Sequence, residues 1–265
     1  MERILGNLTP LPNRPTDLEP GLPGLHSAPA KGDDSSPYRT VSFQVKPRLP
    51  LLRLGGDHWR SAEQYRIIRT KLTQHPRQPK LIGISSAAPG DGKTVNAANI
   101  AAAISLKQQA KVLLVDADFR RANLAWALGV RSGLGLAEVL AGECSLRTAI
   151  VRLETLPNLH FLPAGENRSA PAELLDSPAW REVCQLVRQD FEFAIFDAPP
   201  IGLVADYDLL QAALDGVVLI VRPGHTNRTQ LSTALQTVSQ EKLLGVVVNC
   251  AQESLFWKRH DYYYY

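Results

Sequence analysis

Between residues 80 and 250 six short, almost unbroken apolar runs recur: "KLIGISS", "KVLLVDAD", "LHFLPAG", "FEFAIFDAPP", "DGVVLIVRPG" and "LLGVVVNC". Runs of about four to eight apolar residues without alternation suit strands buried on both faces. Longer segments of helical character separate them: "TVNAANIAAAISLKQQ", "GLAEVLAG", "SPAWREVCQLVRQD", "DYDLLQAAL" and "RTQLSTALQTVSQE". Parallel strands need crossover connections, and crossover helices cover both faces of a sheet. The expected fold is α/β, a three-layer sandwich around a mostly parallel central sheet. In such a sheet ligands bind beyond the carboxyl ends of the strands, so the residues that end each run are the ones to inspect.

One more helix precedes the first run. In "GDHWRSAEQYRIIRTKL", Asp57 can act as cap, and the helix is expected to run to about Gln74. Tyr65, Ile68 and Leu72 fall at helical spacing and form its apolar stripe, while Glu63, Arg66 and Arg69 form a charged one. Residues 1–55 read differently. They hold nine of the nineteen prolines and show little apolar periodicity, so they bury too little surface to offset their ordering entropy. That segment is expected to be largely disordered, with "TVSFQV" a short strand inside it. Residues 56–254 are the expected folded domain and 255–265 a flexible tail.

The first apolar run ends in "SSAAPGDGKT" and a helix follows directly. The pattern is that of a phosphate loop, with Ala87 where the first glycine is usual. Gly90 and Gly92 let backbone amides turn towards a phosphate, and the helix N-terminus adds positive potential. Lys93 can reach β- and γ-phosphates, and the Thr94 hydroxyl can ligate Mg²⁺. Pro89, Gly90, Asp91, Gly92, Lys93, Thr94 and Val95 are the expected nucleotide-binding residues. The second run ends in Asp116 and Asp118, two apart and therefore on one side of the strand. A later run ends in Asp197. Any one of these acids could simply cap a helix. Three beside a phosphate loop can hold Mg²⁺ and accept a proton from an attacking hydroxyl.

Together these residues resemble the bacterial tyrosine kinases of capsule and exopolysaccharide production. "SSAAPGDGKT" is similar to that family's Walker A, with Asp91 where glutamate is more usual. "LLVDADFRR" resembles its second Walker motif. "FAIFDAPP" resembles its Walker B strand, with Ala198 in place of the common threonine. "GLAEVLAGE", "LPAGENRSAPAELL" and "LLGVVVN" resemble its connecting signatures, and "EQYRIIRT" carries its E-x-x-R-x-x-R element on Glu63, Arg66 and Arg69. The resemblance implies a P-loop NTPase-like fold and an ATP- and Mg²⁺-dependent tyrosine autokinase. Asp116 would be the base, with Asp118 and Asp197 organising Mg²⁺. The Glu63/Arg66/Arg69 helix would meet a neighbouring subunit in a ring, and Asn249 would contact the adenine. The phosphate acceptors would be Tyr262, Tyr263, Tyr264 and Tyr265 on the neighbour. It further implies a membrane activator of the polysaccharide co-polymerase type and a cognate phosphotyrosine phosphatase.

Other features narrow the field. A net charge of +3 without a basic cluster argues against nucleic acid. Cys144, Cys184 and Cys250 fit neither a zinc site nor a disulfide framework and read as cytoplasmic thiols. No run approaches the ~20 apolar residues of a membrane span, so recruitment to the inner face of the plasma membrane would need a partner. The MinD/ParA positioning ATPases share the architecture and supply the alternative, a regulatory or positioning ATPase without kinase activity. They usually carry a signature lysine where Ala88 stands. On the residues alone, the charged stripe on the first helix also suits a solvated face, and the tail a frayed end.

Overall fold

The computed structural model describes residues 2–3, 37–45, 59–108, 110–131, 133–166 and 170–251. In chain order these form β1 (Glu2–Arg3), β2 (Arg39–Val41), α1 (Trp59–Thr73), β3 (Leu81–Ser86), α2 (Lys93–Ser105), β4 (Val112–Asp116), a 3₁₀ turn (Phe119–Arg121) and α3 (Leu124–Leu128). They continue with α4 (Leu136–Leu140), α5 (Leu146–Ala149), β5 (Val151–Leu153), β6 (Leu156–Leu162), α6 (Pro171–Asp176) and α7 (Pro178–Asp190). The last are β7 (Phe193–Asp197), α8 (Ala205–Ala213), β8 (Gly216–Val221), α9 (Arg228–Thr237) and β9 (Leu243–Val248).

The strands make one sheet in the order β1-β9-β8-β3-β7-β4-β6-β5-β2. Every neighbouring pair is parallel except β5 with β6. Each six- or five-residue run from β3, β4, β7 and β8 is buried along its whole length, because alternate side chains enter opposite cores. In β4, Leu113 and Val115 join the core under α4–α9, while Val112 and Leu114 join the core under α1, α2 and α3. Helix α2 is buried over Asn96–Ser105. Its alanines suit that place, since small side chains let it lie between the sheet and α1. Tyr65, Ile68 and Leu72 are the residues of α1 that join this core.

In residues 1–55 the expected short strand "TVSFQV" overlaps β2, Arg39–Val41, which pairs with β5, and Glu2–Arg3 is a second short strand that pairs with β9. Tyr38 is also buried, its ring 4.9 Å from that of His160 and its hydroxyl donating to Asp190 at 3.0 Å. Both short strands belong to the same sheet as the later ones. Strands of two or three residues carry no periodicity to read. Asp57 and the tail, 252–265, lie outside the described residues, as does most of the proline-rich segment. Ser177 occupies the position before α7 and Pro178 its first turn. The Ser177 hydroxyl, however, donates back to the Leu174 carbonyl at 2.7 Å instead of capping α7.

Two segments read separately in the sequence are one structure. Glu138 of α4 is buried, and its carboxylate accepts from the Gly135 amide at 2.7 Å and the Glu166 amide at 2.8 Å. Leu136 and Ala137 donate to the Pro163 and Ala164 carbonyls. The loop after β6 is thereby buckled to the start of α4.

Candidate active site

The site lies where β3, β4 and β7 end together. Asp116 and Asp197 are opposite one another in the β4–β7 register, and the loop from β3 passes beside them into α2. Gly90 and Gly92 adopt positive φ, 91° and 97°. At Gly92 a Cβ would sit 2.2 Å from the Asn249 amide nitrogen, so the position excludes any side chain on two counts. The first turn of α2 leaves its amides open towards the loop, the arrangement that receives phosphate.

Lys93 opens α2. Its Nζ lies 2.7 Å from Asp118 Oδ2 and 3.3 Å from Asp197 Oδ1. Burial works to lower its pKa, but the charges of Asp197 and Asp118 prevail and hold the ammonium protonated, with its pKa raised. Asp118 is fixed by a second contact, accepting from the Arg121 amide at 3.1 Å across the 3₁₀ turn. Arg120 in that turn is forked onto the buried Asp206 at 2.8 and 3.0 Å, which anchors the turn on α8. Asp116 accepts from the Leu124 amide through Oδ2 at 3.1 Å, while its buried Oδ1 has no hydrogen-bond partner. Asp197 Oδ2 is likewise buried without one.

The carboxyl groups of Asp116 and Asp197 are basic for aspartates. Burial pushes Asp116 well above the usual carboxylate range, Asp197 adds to the rise, and Lys93 opposes it. Burial also raises Asp197, against the pull of Lys93 and of a hydrogen bond from Thr94. Three carboxylates around one ammonium leave an excess of negative charge at the centre. Two orphaned buried oxygens, the Thr94 hydroxyl and an all-oxygen donor set fit Mg²⁺, which takes one or two carboxylates and keeps its other positions for water or phosphate. Among the described residues no three acidic, imidazole or thiolate groups form a metal cage by themselves, which is compatible with that mode.

The remaining expected residues take different places. Asp91 is fully buried and faces the fold, not the loop's concave side. Its Oδ2 accepts from the Ala88 amide at 2.8 Å, and its Oδ1 from the Thr226 hydroxyl at 2.7 Å, with His225 Nδ1 at 3.0 Å. Asn249 donates to the Asp91 carbonyl at 2.8 Å and accepts from the Cys250 amide at 3.0 Å, so its side chain braces the loop. Val95 packs on the core below α2. Pro89 is half-buried in the loop itself. Sequence reading missed the β8–α9 connection altogether. Arg222, His225 and Thr226 close over the phosphate loop, with Arg222 reaching the Gly90 carbonyl at 3.5 Å. Their only sequence signal is a polar cluster, "RPGHTN", at a strand's carboxyl end.

The charged stripe of α1 stays away from this centre. Glu63 and Arg66 pair with each other at 2.8 Å in solvent, and Arg69 donates to the Ala103 carbonyl at 3.4 Å. Tyr262–Tyr265 lie outside the described residues.

Residues 79–244 match the family model described as AAA domain. The chain is 36% identical over 209 residues to "Tyrosine-protein kinase YwqD" of Bacillus subtilis (strain 168), covering 77% of this chain and 86% of that one. It is 28% identical to "Succinoglycan biosynthesis transport protein ExoP" of Rhizobium meliloti (strain 1021), over 89% of this chain but 30% of that protein. Among solved structures it resembles the chimerical protein CapA2B2, with a TM-score of 0.71 at 27% identity over 81% of this chain and 95% of that one.

Proposed function

From the premise that the chain belongs to the bacterial tyrosine kinase family, with a P-loop AAA-type domain, we propose that it moves the γ-phosphoryl group of ATP onto the tyrosines of its own C-terminal cluster, Tyr262–Tyr265, in a neighbouring copy. It is a protein-tyrosine kinase by family; the acceptor, the metal and the role of each residue are the proposed part. The observation that carries the reading is the Lys93–Asp118–Asp197 cluster with the free Asp116 Oδ1 beside it.

A tyrosine hydroxyl, with a pKa near 10, is a weak nucleophile at neutral pH. Asp116 would accept its proton. The burial that raises its pKa also makes it a stronger base than a solvated aspartate. Loop amides from Gly90 to Thr94 cradle the β- and γ-phosphates. Lys93 exchanges its carboxylate partners for phosphate oxygens when ATP enters, so the charge that stabilises the free chain becomes charge that stabilises transfer. Mg²⁺ held by Thr94, Asp118 and Asp197 would neutralise charge on the phosphate oxygens as it is redistributed. Asp91, Thr226, His225 and Asn249 hold the loop in shape, and Asn249 can still offer an edge to adenine.

Among the described residues no helix is long and apolar enough to cross a membrane. A membrane co-polymerase activator and a role in exopolysaccharide or capsule synthesis are supported by the likeness to a succinoglycan transport protein. In the ring, Glu63, Arg66 and Arg69 would face the next subunit, where an arginine fork suits carboxylates better than lysine does. Arg66→Ala with Arg69→Ala should shift light scattering towards monomer; an unchanged mass would remove α1 from the interface. For the activity itself, the chain is incubated with ATP, Mg²⁺ and a co-expressed membrane partner, and phosphosites are mapped by mass spectrometry. Phosphate on Tyr262–Tyr265, lost in Lys93→Ala, is expected. A chain that binds and hydrolyses ATP while its tail stays unmodified would instead be the positioning ATPase.

A further inference from the structure

An open groove of about 710 Å³ lies at the same carboxyl edge of the sheet as the active site, beyond β6. Arg39, Arg131 and Arg147 line it, together with the hydroxyls of Ser145 and Thr148. All three arginines are exposed. Among the described residues none of them is in an ion pair, and no acidic side chain lines the groove. Three arginines lining one concavity suit a multiply charged anion with planar or tetrahedral oxygens.

The geometry points to the phosphorylated C-terminal tail of this chain as the occupant. This inference rests on the kinase reading for the source of the phosphate. Each phosphotyrosine carries about −1.5 to −2 charges, so the tail is the most anionic segment this chain can present. Asp33 and Asp34, which precede Pro37 in the sequence, offer only two single charges in competition. Reach also allows it. Strand β9 ends at the same edge as β6, and six strand steps separate β9 from β5, about 29 Å at ~4.8 Å per step. From Ala251 to Tyr262 are eleven residues, about 36 Å when extended at ~3.3 Å per residue.

The test uses the full chain carrying Lys93→Ala, which keeps its own tail unmodified, and labelled synthetic peptides of residues 255–265 with and without tyrosine phosphates. Fluorescence anisotropy should show the phosphopeptide binding at least about tenfold tighter than the plain one. Arg39→Gln/Arg131→Gln/Arg147→Gln should remove that difference, while the three Arg→Lys replacements keep part of it. A thermal melt like that of the parent shows that the variant is folded, and each single Gln variant reads the same loss in smaller steps. Equal binding of both peptides, or phosphopeptide binding indifferent to the three arginines, overturns the inference. So does arginine-dependent binding to phosphatidylglycerol vesicles without phosphopeptide binding, which would make the groove a membrane contact. The peptide arrives already phosphorylated, so failure here leaves the kinase reading standing, and an inactive kinase can still bind it.

Discussion

As the proposed base, Asp116 would set stability against activity in a single side chain. Its carboxyl is buried, half of it has no partner, and it shares a centre with two other acids and one lysine. The folded state therefore holds its proton more tightly than the unfolded chain, whose aspartates titrate near 3.9. Stability from the protonated form is present below that value and is lost as pH rises through the raised folded pKa. Asp116→Asn should then abolish tail phosphorylation yet stabilise the nucleotide-free chain at pH 7 by roughly 1–3 kcal/mol, read as a higher melting temperature. The gain should shrink towards pH 4, which calorimetry at several pH values would check. His160 has the opposite sign. Burial, with Lys111 nearby, lowers its pKa from 6.5 to about 4, so the unfolded state binds the extra proton. Stability is full above about 6.5 and falls as pH drops to about 4, by roughly 3 kcal/mol over the window. His160→Phe should flatten that acid limb in urea titrations; an unaltered limb would mean that another group produces it. The acidic residues were legible in the sequence because they end apolar strands. Their partners were not, since no pattern tells which oxygen of a buried aspartate stays unpaired.

At the scale of elements, the phosphate loop does not stand alone. Its shape depends on Asp91, which ties the Ala88 amide to Thr226 and His225 on the β8–α9 connection, and on Asn249 from the end of β9. Asp91→Ala would leave the Ala88 amide and the Thr226 hydroxyl without acceptors, a loss of about 1–3 kcal/mol each. Weaker ATP binding, by about tenfold or more, is the outcome expected from isothermal titration. Asp91→Glu tests the geometry, since one added methylene has no room in a fully buried place. If Asp91→Ala binds ATP as the parent does, the clasp is not what sets the loop. The strand–loop–helix order and the glycines were readable because they recur at fixed spacing. The clasp was not, because its residues lie 135 and 158 positions apart in the chain and are ordinary loop residues taken singly. The same reason hid the antiparallel β5–β6 pair and the Glu138 buckle, whereas the stripe of Tyr65, Ile68 and Leu72 on α1 was plain.

For the whole molecule, the sheet puts the nucleotide site, the end of β9 from which the tail departs, and the arginine groove along one edge. The opposite edge carries none of these. The layered α/β fold followed from six buried runs and their helices, because a parallel sheet leaves little freedom in how such elements stack. The role proposed for the tail did not follow from packing at all; it rests on the resemblance to the bacterial tyrosine kinases and on the tyrosine run at 262–265. The direct trial mixes two full-length variants with ATP and Mg²⁺. One keeps the site but has Tyr262–Tyr265 replaced by phenylalanine, and the other keeps the tail but carries Lys93→Ala. Phosphate on the Lys93→Ala chain in the mixture, and on neither chain alone, is the result this account predicts. An unlabelled Lys93→Ala chain beside a partner that turns over ATP would contradict it.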